Sequence, residues 1–132
     1  MADSGTGSLL KAGALAVVVS VVANHFLHAG ALAVFDIPHD FPPLHGAGPV
    51  VFFSVFGALA GVGVFAGIAS VSARPVPVFR VVAGVTLVVS LIPDLWLLTE
   101  SGAANFSGGT PAGVGTLMVM HVISAAAVER RR

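Results

Sequence analysis

Four long apolar stretches dominate this chain, at 9–35, 49–71, 76–99 and 112–128. A hydrocarbon core takes about 20 apolar residues to cross as a helix, and each stretch approaches or meets that length. Within lipid no water satisfies a bare N–H or C=O, so a crossing segment is either a helix or one strand of a closed barrel. Valine is abundant, which brings the barrel into consideration. A barrel strand alternates apolar and polar residues over about ten positions, and the smallest barrels have about eight strands. The runs 14–22 and 62–69 show no alternation, and four strands cannot close a barrel. Only 9% of the residues are charged and 56% are hydrophobic, where a soluble domain carries roughly a quarter charged. The expected architecture is all-α: an integral membrane, up-down-up-down bundle of four transmembrane helices. It forms a single membrane domain over 1–132, with a cytoplasmic tail at 129–132.

The connections are polar or rich in Gly and Pro. The first holds Asp36, His39, Asp40 and His45 among Pro38, Pro42 and Pro43, which forbid a continued helix. The second is the tight Ser72-Ala73-Arg74-Pro75, and the third runs from Glu100 to Pro111. With an even number of spans, Lys11, Arg74, Arg80, Arg130, Arg131 and Arg132 all fall on one side. An excess of Lys and Arg marks the cytoplasmic side. The expected placement is the cell membrane, multi-pass, with both termini cytoplasmic. A signal-peptide reading of 12–23 competes, but Asp3 beside a single lysine makes a poor n-region and the apolar stretch runs on past Ala23. A formal net charge of zero argues against nucleic acid as a partner. The absence of cysteine excludes disulfides, thiolate metal sites and covalent c-type haem attachment.

Small residues let membrane helices approach closely. In the second span Gly57-x-x-x-Gly61 and Gly63-x-x-x-Gly67 predict such an approach. It is made either to a neighbouring helix of the same chain or at the seam of a homo-oligomer or larger membrane complex. Loops one and three are long for bare connectors and are expected to fold over that end of the bundle.

Polar groups at membrane depth mark candidate sites, because burying them unpaired in lipid is unfavourable. Ser20, Asn24 and His28 recur every four residues on one face of the first span, with His25 beside them. Thr86, Ser90 and Asp94 repeat that spacing on the third span, with Pro93 just before Asp94. His121 lies near the middle of the fourth, with Ser124 one turn inward. The candidate ligand-binding set is Asn24, His25, Ser90, Asp94 and His121, gathered in the outer half of the bundle. The candidate metal set is His25, His28 and His121. Each has a plainer role available. Serine and threonine ordinarily bond their own helix backbone, Asn24 can tie helices together, and His25 and His28 can anchor at the headgroups. Asp94 can reach outer water. His121 cannot easily reach it and is expected to hydrogen-bond, for instance to Asn24 or Ser90, or to hold a ligand.

Ala23-Asn24, Ser90-Leu91-Ile92-Pro93 and Met120-His121, with the order and length of the spans, resemble the small four-helix membrane proteins of domain-of-unknown-function family 6069. The resemblance covers nearly the whole chain. It implies a four-helix bundle and little more, because that family has no assigned activity. Asp94 and the histidine-rich first loop lie outside it.

Three functional readings stay open. The first is a non-enzymatic accessory subunit, or a module binding a lipid or other small ligand. The second is a metal- or haem-binding membrane protein, since imidazoles and carboxylates suit a divalent metal or haem, although the sequence requires no cofactor. The third is movement of protons or small solutes by an oligomer. No HExxH, nucleophile elbow or phosphate-binding loop is present, which argues against catalysis.

Overall fold

The structure is a computed structural model and describes residues 2–99, 102 and 108–129. It contains four long helices, α1 (Ala2–Val34), α2 (Ala47–Val71), α3 (Pro75–Leu97) and α4 (Pro111–Glu129), and one 3-10 turn at Pro42–Leu44. No strand occurs among the described residues. All four helices are long and apolar enough to cross a membrane. The protein is an all-α, multi-pass membrane protein.

Local chemistry sets the helix ends. Pro75 opens α3, where a missing N–H is harmless, and the Arg74 N–H donates to Ser72 Oγ at 3.1 Å in the tight turn before it. Thr110 caps α4: its Oγ1 accepts the Gly113 N–H at 3.1 Å, and Pro111 follows it as the first helical residue. Gly46 supplies the positive φ of 77° needed just before α2.

Helix α4 packs against all three other helices, α2 pairs with both α1 and α3, and α1 and α3 lie on a diagonal. The helices are not in axial step. A Cβ built on Gly61 of α2 would lie 3.0 Å from Cγ1 of Val128, near the end of α4. From that level α2 continues about 15 Å further to Val71, so the α2–α3 hairpin extends beyond the end of α4. Gly13 of α1 meets Val62 at the same level, with a built Cβ 3.2 Å from Val62 Cγ1.

The buried face of α2 is Val50, Ser54 and Ala58, continuing to the half-buried Gly61. Of the two glycine pairs in this helix only Gly61 makes a close approach. Gly57, Gly63 and Gly67 face open space. Gly57 falls outside the contact because the α2 interface rotates through Ser54 and Ala58. Large apolar side chains such as Phe26, Phe52, Phe56 and Val88 are exposed, which suits a surface whose solvent is lipid.

The first loop plugs one end of the bundle. Ile37, Phe41 and Leu44 are buried against Ala31, Leu97 and Val114. Phe41 is 0% exposed, and the third loop reaches it through Gly108, where a built Cβ would be 3.0 Å from the Phe41 N. This loop end lies opposite the basic end, where Lys11, Arg74 and Arg80 are exposed.

Candidate functional site

Two polar groupings lie toward the loop end. The first ties three helices together. Asn24 on α1 donates both amide hydrogens, to Ser54 Oγ on α2 and to Ser124 Oγ on α4, at 2.9 Å each. A planar amide with two donors suits a three-helix junction, and both serines remain free to donate to other acceptors. Asn24 Oδ1 and the fully buried Ser20 Oγ have no partner among the described residues.

The second grouping joins α3 to α4. His121 Nδ1 lies 2.8 Å from Asp94 Oδ2, and neither atom has another partner among the described residues. The two side chains are unequally covered. Asp94 is 7% exposed, while His121 is 40% exposed. A carboxylate oxygen accepts, so Nδ1 carries the shared proton and its ring orientation is fixed by Asp94. The exposed part of the ring is then the side bearing Nε2, which has no partner among the described residues. With Nδ1 held by Asp94, Nε2 presents its lone pair on the uncovered side of the ring. It can accept a hydrogen bond, take a proton or ligate a metal.

The meeting of Asp94 with His121 depends on the axial offset of α4. Counted from a common basic end, Asp94 would sit much nearer the loops than His121. Because α4 stops short of the α2–α3 hairpin, His121 rises to the level of Asp94. The pair lies about 21 Å along α3 from Arg80 and about 15 Å along α4 from Pro111.

The remaining candidates separate from this pair. The Ser90 hydroxyl donates to its own helix at Leu87 O, 2.7 Å away. His28 is buried, and its Nε2 lies 3.0 Å from the Leu44 carbonyl, which clamps the first loop to α1. His25 is exposed on α1. In the first loop His45 Nδ1 bonds the His39 carbonyl. Among the described residues no three His, Asp or Glu side chains gather where they could hold a metal ion, so His25, His28 and His121 do not form a common site. The sequence pattern marks no polar role for Ser54 and leaves Ser124 to bond its own helix. Ser54 was findable as the only polar side chain in the loop-end half of the second span. Nothing in the sequence points to Ser124 over Thr116, whose hydroxyl bonds Ala112 O in its own helix at 2.8 Å.

A family model described as a family of unknown function, DUF6069, matches residues 4–129. No curated protein and no solved structure matches the chain.

Proposed function

The chain belongs to the DUF6069 family, and from its polar centre we propose that it is a non-enzymatic membrane module that binds a small lipophilic molecule through His121. The observation that carries this reading is the 2.8 Å contact of Asp94 Oδ2 with His121 Nδ1, beside a ring left 40% exposed. A buried carboxylate in a membrane helix is unfavourable by about 3 kcal/mol on insertion scales. Pairing with one imidazole offsets that and leaves the second ring nitrogen for a ligand. The surroundings select the ligand class. The residues that follow the pair in each helix, Leu95 on α3 and Val122 on α4, are exposed apolar side chains, as on a lipid-facing surface. A molecule reaching Nε2 there is hydrocarbon for most of its length and carries one hydrogen-bond donor, such as a hydroxyl.

The test uses the full chain in lipid nanodiscs, 15N-labelled at histidine, titrated with 4-octylphenol and in parallel with octylbenzene. The expected result is a saturable shift of the His121 Nε2 resonance with the phenol alone. Asp94→Leu should weaken the response by about tenfold, the equivalent of 1.4 kcal/mol. An identical response to both probes, or none to either, overturns the reading. A carboxylate-backed imidazole also suits a metal ligand. Zinc or haem binding that is lost in His121→Leu would favour that second reading, with the remaining ligands supplied by another copy of the chain.

A further inference from the structure

A recess lies on the α1 side of α4, away from His121. It is a groove of about 620 Å³ between α1 and α4, running from Phe26 and Leu27 up to Val34 and Phe35 on α1 and from Val119 up to Pro111 on α4. At the standard helical rise it is about 13 Å long. Two glycines leave it open. Gly30 and Gly115 both line it, and a Cβ built on either meets nothing within 4 Å. The lining is almost wholly carbon. Its one polar side chain is Thr116, whose hydroxyl already donates to Ala112 O at 2.8 Å.

We propose that this groove is a binding site for one acyl chain of a bilayer lipid from the leaflet on the loop side. The lining disfavours a polar occupant, since its side chains are apolar apart from Thr116, whose hydroxyl proton is already committed to Ala112 O. The occupant is therefore hydrocarbon, and both flanking helices are membrane spans, so hydrocarbon surrounds the groove. Its shape suits an unbranched chain lying parallel to the helices. It is long, laterally open past the exposed Phe26, Val34 and Val119, and cleared at two points along its length by glycine. Its upper end at Phe35 and Pro111 coincides with the ends of the two spans, which puts the headgroup of such a lipid at the polar loops. A void there would forfeit dispersion contacts along its whole wall, so an ordered chain is the lower-energy filling.

The experiment is native mass spectrometry of the full chain in detergent, titrated with palmitoyl-oleoyl phosphatidylglycerol. The variants are Gly30→Leu, Gly115→Leu and, on the rim, Val119→Trp. Both glycines look on open space, so a leucine there fills the groove without displacing a neighbour and the melting temperature should hold. The expected result is a one-to-one lipid adduct in the native chain, weakened by about tenfold or more in each filled variant. Gly63→Leu, equally open but on a different face, should keep the adduct. If a leucine variant fails to fold, Val119→Trp gives the same reading from the edge of the groove. Equal adducts in the native chain and a folded filled variant overturn the proposal. So does a dimer or heteromeric complex that Gly115→Leu dissociates while lipid binding stays unchanged, because the groove would then be a seam for a protein helix.

Discussion

Asn24 and Ser20 stand one turn apart on the same buried face, yet their hydrogen-bond accounts differ. Asn24 spends both amide hydrogens on Ser54 and Ser124, whereas the Ser20 hydroxyl meets no partner among the described residues. Side-chain hydrogen bonds between membrane helices contribute about 0.6 kcal/mol each on average. Asn24→Leu removes two of them and asks a larger side chain to enter a three-helix contact. It should lower the unfolding free energy in detergent by about 1–3 kcal/mol. Ser20→Ala deletes only a buried, unpaired hydroxyl and should leave stability unchanged or raise it by up to about 1 kcal/mol. Unfolding of both variants in mixed micelles with increasing sodium dodecyl sulfate measures the two effects. A cost at Ser20 as large as at Asn24 would mean that Ser20 holds a bound molecule or a bond of its own.

Among the elements, α2 makes the clearest forecast because its glycines are not equivalent. Gly61→Leu drives a side chain into Val128 of α4, 3.0 Å from the Cβ position, and should destabilise by about 1–3 kcal/mol. Gly57→Leu points into open space and should stay within about 0.5 kcal/mol of the native protein. Thermal melts of the two variants decide between this arrangement and a second copy packed on the Gly57 face, which would make Gly57→Leu costly as well. The same contrast shows what a membrane sequence discloses. The number and identity of the helices are legible, because lipid accepts no other backbone arrangement for such segments. Rotation is legible only where a polar stripe marks a face, as Ser20, Asn24 and His28 do on α1, and axial offset is not, because a shared starting plane is only an assumption. That is why His121 pointed equally to Asn24 and Ser90 as partners and is found on Asp94. The offset of α4, set by the contact of Val128 with Gly61, has no signature in hydropathy.

At the scale of the whole molecule, the same offset bears on how the bundle sits in the membrane. Asp94 and His121 share one level, and from it Arg80 lies about 21 Å down α3. Asn24 and Ser124 share a second level about one turn lower, and from that Lys11 lies about 20 Å down α1. Lys11 and Arg80, both exposed, therefore fall in one basic band, and a hydrocarbon core of about 30 Å measured from it ends about one helical turn short of the loop ends of α1 and α4. Above that end stand Asp36, His39 and Asp40, and none of the six Lys and Arg residues lies in either loop there. Lys and Arg accumulate on the cytoplasmic side of membrane proteins, so we propose that the basic band faces the cytoplasm and the loop plug faces outward. That orientation would also open the His121 and acyl-chain sites to the outer leaflet. Single cysteines at Ala73, in the hairpin turn, and at Asp36, in the first loop, test it, since both positions are exposed and the native chain has no cysteine. In intact cells an impermeant maleimide should label Asp36→Cys and spare Ala73→Cys until the membrane is permeabilised. The reverse pattern would invert the protein in the bilayer and move both sites to the cytoplasmic leaflet.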